Sequence, residues 1–349
     1  MNVELMHKMD NQLIQQHHHM IELENLLKTF TLETSYSLKK LRDTPLIYSE
    51  QHTAQDFEYD FLEISDAIET IPLHPSRQTV TVVACDMSTV KLAETAEGPV
   101  WAVRGSIIYR TKEKVKAFVV GPFAYTASPE NIKHLLAILY KALDINWNQP
   151  SFSLSAAPKL VGNLFERILQ LHAARFIKGG ILLLDGSLTV GPLDSPLEAV
   201  SKIVEVAKQQ GLGVAAFSKS TTLTLRGRSI LSYLADVKPP YLIRIPVHDR
   251  SRWSVCEGAV YVSRLAQGYF PFRVDVASRE SDAELFNALL SSEPIIYGYP
   301  ESLIIAHQLA KMSRLDMISA RASLENLFNI RFVHTTEIRT SLFTPITNS

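Results

Sequence analysis

Ile181-Leu182-Leu183-Leu184-Asp185-Gly186-Ser187 decides how this chain reads. Four apolar residues followed by an aspartate predict a strand buried on both faces that delivers a carboxylate at its end. Such strands lie inside sheets covered on both sides, and sites gather outside their carboxyl ends. A second run, Thr79-Val80-Thr81-Val82-Val83-Ala84-Cys85, leads into Asp86-Met87-Ser88. Two strands that each end in Asp-x-Ser bring two carboxylates together. Paired carboxylates hold hard divalent cations through oxygen ligands. Taken singly, either aspartate reads more simply as the start of a turn or a helix cap.

Working outward from these runs, the composition is that of a globular protein with a substantial core. The 349 residues are 46% hydrophobic and 20% charged, enough for one large domain or two ordinary ones. With 35 basic and 36 acidic residues there is no overall electrostatic footprint for nucleic acid. A DNA-binding surface must therefore be a local patch. Cys85 and Cys256 are too few for a disulfide framework or a four-cysteine zinc site, which fits a reducing cytoplasm. No apolar run approaches membrane-spanning length, so no membrane contact is expected.

Residues 1 to about 43 read as helix. Leu13, Met20 and Leu27 recur every seven residues, with Leu23 and Phe30 between, which suits a helical seam against the chain's own domain or a second copy. Residues 44–77 read as a connection with little regular structure. The chain thus divides into a helical N-terminal extension with its connection, residues 1–78, and a domain of residues 79–349. In that domain, strands at 79–86, 100–109 and 114–120 are joined by hairpins at Gly98-Pro99 and Thr111-Lys112. Helices at 129–143 and 158–177 follow, then the strand into Asp185, a helix at 195–210 and a strand at 211–217. Further on, 241–246 reads as extended, 259–265 and 270–276 as a hairpin pair, and 300–314 as a helix with Pro300 at its first turn. This order predicts a mixed α/β sheet with an antiparallel edge, flanked by helices.

Several residues carry possible chemistry. Glu166 is the only acidic residue between Asp144 and Asp185, although helical periodicity leaves it beside the apolar stripe, where exposure is expected. His307 shares a helix face with Leu303 and Ala310 and reads either as a hydrogen-bonded core histidine or as a metal ligand or proton-transfer group. Lys219, after a short apolar strand, suits a phosphate contact or a solvated loop. Arg226, Arg228, Arg250 and Arg252 could together form a phosphate-facing surface. Gly211-Leu212-Gly213 lacks the third glycine of a dinucleotide fingerprint, and no P-loop is present, so ATP binding is not expected.

Taken in order, these residues resemble the NurA nuclease family from about residue 79 to 314. The match comprises Asp-x-Ser after the first strand, a helical Glu, Leu-Leu-Asp-Gly-Ser-Leu, Ser-Lys-Ser, Phe272-Arg273-Val274, and a Pro-x-x-Leu-x-x-Ala-His-x-x-Ala-Lys helix. The resemblance implies a ribonuclease H-like core. It implies a DNA nuclease using Mn²⁺ or Mg²⁺, with two ions about 4 Å apart. It also implies a homodimer that acts with a HerA-type hexameric ATPase in DNA end resection. Carried over, Asp86, Glu166, Asp185 and His307 look like metal-binding and catalytic residues, with Lys219 beside them. The family's active-site tyrosine falls near Tyr261. Lys219, Arg226, Arg228, Tyr261 and Arg273 are candidate DNA contacts. One departure is Met87, where the family's first motif carries glycine; a need for positive φ there would disfavour methionine. The competing readings are a catalytically weak adaptor of a DNA translocase and a ribonuclease H-like enzyme acting on RNA.

Overall fold

The computed structural model describes residues 3–40, 46–48, 69–95, 98–146, 154–190, 196–221, 223–225, 228–232, 237–245, 255–278, 281–329 and 332–334. A nine-stranded sheet organises them. Its strands, numbered along the chain, are β1 (Glu69–Pro72), β2 (Val82–Ala93), β3 (Val100–Arg110), β4 (Val115–Thr126), β5 (Gly180–Asp185), β6 (Leu212–Ser218), β7 (Tyr241–Ile245), β8 (Ala259–Arg264) and β9 (Phe272–Ala277). Across the sheet they run β1-β7-β8-β9-β6-β5-β2-β3-β4. Strands β2, β5 and β6 are parallel neighbours, and the other pairings are antiparallel. The segment β4-β3-β2-β5-β6 is a three-strand meander followed by two parallel strands reached through helices. That is the ribonuclease H-like order, so the expected fold class is met.

The pattern of apolar residues explains the central strands. Leu182, Leu183 and Leu184 are all but fully buried, because helices cover both faces of β5. On one face, Val83, Cys85, Leu182 and Leu184 pack with helices α1 (Val3–Lys39), α2 (Pro129–Leu143), α3 (Ala157–Phe176) and α4 (Leu197–Gln209). On the other, Val82, Ala84, Ile181 and Leu183 pack with α5 (Asp282–Ser292) and α6 (Glu301–Ala310). Burying each such side chain contributes roughly 2 kcal/mol. A last helix, α7 (Arg314–Phe328), buries Leu324 beside Leu92 and Val100 at the far end of β2 and β3.

Phe30 of α1 is buried, with its ring 5.3 Å from Phe123 and 5.7 Å from Phe165. The C-terminal part of the seam therefore docks on the chain's own sheet, while the side chains of Leu13 and Met20 lie outside the described residues. Three sequence readings need correction. Strand β2 does not stop at Asp86 but runs on to Ala93, because residues 87–93 stay paired with β3 through a register shift between Lys91 and Ala93. The stretch read as an irregular connection contains β1, an edge strand too short and too polar to stand out. The helix read over 300–314 breaks at Lys311, and Ser313 caps α7 with its hydroxyl and Asp316 in a reciprocal box.

Candidate active site

The parallel register sets the two aspartates side by side. Val82 pairs with Ile181 and Cys85 with Leu184, and the pairing of β2 with β5 ends there. One step further lie Asp86 and Asp185. Side chains alternate along a strand. Asp86 therefore follows Val82 and Ala84, and Asp185 follows Ile181 and Leu183, onto the face covered by α6. Gly186 then takes φ +117°, a conformation a side chain disfavours, and turns the chain away immediately after the carboxylate. Its N–H donates to the Phe217 carbonyl at 2.8 Å, and the Ser218 hydroxyl donates to its carbonyl at 2.6 Å.

Helix α6 brings the third group. Leu303 and Ala306 are buried against the sheet, which leaves His307 half-exposed above Asp86. Its Nδ1 lies 2.7 Å from Asp86 Oδ2 and 3.9 Å from Asp185 Oδ2. A carboxylate in that place keeps the proton on Nδ1 and leaves Nε2 open. Strand β3 fixes the helix. The Ser106 hydroxyl donates to the Ala306 carbonyl at 2.7 Å, and Arg110 reaches Glu301 at 2.5 Å and the Ser302 hydroxyl at 3.0 Å in the first turn of the helix. His307 is thus not a core histidine.

Asp86, Asp185 and His307 each offer a ligand atom, all within 4.8 Å of one another. Burial, then the charge of Asp185, push the Asp86 carboxyl up; His307 and the Met87 amide pull it back. Glu166 approaches from α3 on the opposite helix layer and stands outside this trio. It is half-buried rather than exposed, and accepts a hydrogen bond from Gln170 Nε2 at 2.7 Å. Burial raises its carboxyl to about 8, with Arg167 and Gln170 opposing and Asp86 and Asp185 adding to the rise.

That rise has a consequence for stability. Glu166 titrates near its ordinary 4.5 in the unfolded chain and near 8 in the fold, so the folded protein keeps a proton that the unfolded one releases. Raising the pH through that window then destabilises the metal-free fold. Glu166→Gln is expected to exceed the wild type by roughly 1–3 kcal/mol at pH 8 in EDTA, and to match it near pH 4.5. Urea unfolding at the two pH values checks this; an equal difference at both would contradict it.

Lys219 reaches back from the end of β6. Its Nζ lies 2.5 Å from Asp185 Oδ2 and 5.6 Å from the centre of the Tyr299 ring. Tyr299 was not among the sequence candidates. Its hydroxyl donates to Asp185 Oδ1 at 3.2 Å, and its acidity is suppressed by burial and by Asp185. The only sequence signal for it is an aromatic residue between Gly298 and the helix-starting Pro300. Tyr261 is not the tyrosine of this cluster: it is buried on β8, and its hydroxyl donates to Asp282 at 2.6 Å. Arg273 is buried and bidentate on Asp275, with both contacts at 2.8 Å, so its guanidinium is not a surface contact. Arg226, Arg250 and Arg252 lie outside the described residues, as does the side chain of Arg228.

Met87 sits within β2 opposite Gly105, and its φ is not positive. Its side chain fills the hollow at Gly162 of α3, where an added Cβ would lie 2.6 Å from the Met87 methyl. The backbone therefore makes no demand for glycine at this position.

The NurA domain family matches residues 80–312. No curated protein is similar enough in sequence to match. Among solved structures, the chain is similar to the NurA nuclease from Sulfolobus solfataricus at 16% identity, over 74% of this chain and 88% of that one, with a TM-score of 0.42. A NurA structure bound to dAMP and manganese is 10% identical over 75% and 91% of the two chains, with a TM-score of 0.40. Endonuclease V from Streptomyces avermitilis is 16% identical over 72% and 86%, with a TM-score of 0.37. Because the family match spans well over half of its length, this chain belongs to the NurA family.

Proposed function

We propose that this chain is a divalent-metal-dependent deoxyribonuclease with Asp86, Asp185, His307 and Glu166 at its centre. The observation that carries this reading is the convergence of Asp86, Asp185 and His307 from two strands and a helix at the carboxyl edge of the parallel strands. The donor set fits a metal ion. Two carboxylate oxygens suit a hard cation, and an imidazole nitrogen biases the choice toward Mn²⁺ over Mg²⁺. A bound ion polarises a phosphate and lowers the pKa of its water.

Asp86 and Asp185 would hold the ion, with Glu166 completing the acidic set, and a second ion would belong to the fuller form of this proposal. His307, steadied at Nδ1 by Asp86, would offer Nε2 either to the ion or to a proton in transfer. Lys219 carries the positive charge that a phosphodiester meets beside Asp185. Tyr299 orients Asp185 through its hydroxyl. The family identity supports a homodimer acting in the cytoplasm with a HerA-type hexameric ATPase in DNA end resection. Among the described residues, no helix is long and apolar enough to cross a membrane.

End-labelled linear DNA incubated with the full chain and Mn²⁺, Mg²⁺ or EDTA tests the central reading. Metal-dependent cleavage is expected. No cleavage with any metal, repeated with the ATPase and ATP, would favour the adaptor. Met87 lends that adaptor no support. Met87→Gly is expected to cost roughly 1–3 kcal/mol in urea unfolding, through the emptied hollow and the freer backbone, without raising cleavage. A gain in cleavage would restore the case against methionine.

A further inference from the structure

We propose that Tyr269, Phe270 and Tyr297 form a platform on which unpaired bases stack as a single-stranded DNA end enters the carboxylate cluster; this rests on the nuclease reading above. Phe270 is 80% exposed, Tyr297 68% and Tyr269 42%. Neighbouring aromatics left in water mark a binding surface rather than scattered exposure. The rings of Tyr269 and Tyr297 meet edge to face at 5.4 Å.

The patch is continuous with the site. From Asp185 the path runs to the Tyr299 hydroxyl, then to the Phe272 ring, 5.0 Å from that of Tyr299. Gly298 seats the turn against the Phe270 carbonyl and Tyr269, which a Cβ there would approach at 3.1 and 3.5 Å. Residues 265–271 lead into β9, whose Arg273 pairs with Ser218 at the end of β6, so this loop overhangs the same sheet edge as Lys219.

The backbone supplies a second observation. Tyr297 and Gly298 join the short strands Ile295–Ile296 and Tyr299–Pro300 with φ of +54° and +84°. Such a turn favours Asn-Gly, and a tyrosine there is strained. The ring is thus held out at a cost that the turn itself does not require.

Aromatic faces stack on any base without reading sequence, but only on bases outside a duplex. The occupant is therefore a single strand, its phosphates led toward Lys219.

The test measures anisotropy of fluorescein-labelled dT12 and of a blunt 24-base-pair duplex with full-length protein at low salt in EDTA. Phe270→Ala and Tyr297→Asn are each expected to weaken dT12 binding about tenfold, with duplex binding changed less than about twofold. Phe270→Trp should retain the affinity. Tyr297→Asn should melt no lower than wild type, because asparagine accepts the left-handed region, so its loss of binding would not be a folding defect. Unchanged dT12 affinity in both variants, an equal loss for the duplex, or no wild-type binding to dT12 would overturn the platform. So would variants that run as monomers where wild type is a dimer. Hydrolysis of thymidine 5′-(p-nitrophenyl phosphate), too short to reach the platform, reports the centre separately. Its absence in wild type with Mn²⁺ would sink the nuclease reading while the binding arm still decides the platform.

Discussion

Asp185→Asn is expected to lower cleavage of linear DNA by about 10³-fold or more in Mn²⁺, with the fold intact. Asparagine keeps the shape and an oxygen for the Tyr299 hydroxyl, which donates at 3.2 Å. It gives up the ion pair with Lys219, but that lysine is half-exposed, so the pair is worth at most about 1 kcal/mol. What disappears is the negative charge beside the Asp86–His307 pair, where the ligand atoms gather within 4.8 Å. Two readouts accompany the loss. Manganese affinity, followed by calorimetry, should fall. The Asp86 carboxyl, now raised by burial and by Asp185, should move down once its neighbour is neutral. Cleavage at the wild-type rate in Asp185→Asn would remove the proposed centre. A loss of cleavage with unchanged manganese binding would place the ion elsewhere.

How far this arrangement was legible in the sequence depends on which force positions each residue. Asp185 was readable because burial on both faces demands an unbroken apolar run, and the run ends where the carboxylate begins. Asp86 was readable as a carboxylate near a strand end, yet it lies inside β2; only the parallel pairing with β5 ends there. A local pattern shows a strand but not where its neighbour stops. His307 was found on its helix, but its helical neighbours Leu303 and Ala310 suggested a core position. Contacts from Ser106 and Arg110, far away in sequence, hold this helix with His307 half-exposed. Glu166 was placed beside the apolar stripe, which is where it is. The close approach of α3 over Met87 and Gly162 then half-buries it. Tyr299 had almost no signal, since a tight turn rather than a periodic element carries it.

Arg273→Ala is expected to destabilise the protein by roughly 3–5 kcal/mol, because it removes the guanidinium that neutralises the buried Asp275 carboxylate. Asp275 is fully buried and Arg273 nearly so, with two contacts of 2.8 Å between them. Asp275 also accepts the Leu188 N–H at 2.9 Å, and Arg273 donates to the Thr189 hydroxyl. The pair therefore clamps the turn that follows Asp185. Removing the guanidinium takes away the charge that offsets this buried carboxylate, and it loosens the turn. Urea unfolding measures the cost. The sequence resemblance made Arg273 a candidate DNA contact, and the two roles separate cleanly. A phosphate-binding arginine would lower DNA affinity and its salt slope with little change in unfolding. A buried clamp lowers stability and cleavage while anisotropy with dT12, at temperatures where the variant is folded, stays near wild type. Arg273→Lys sharpens the distinction, because it keeps the charge but lacks the planar fork that engages both oxygens of Asp275. It should recover only part of the stability, and full recovery would show that charge alone is what the turn requires.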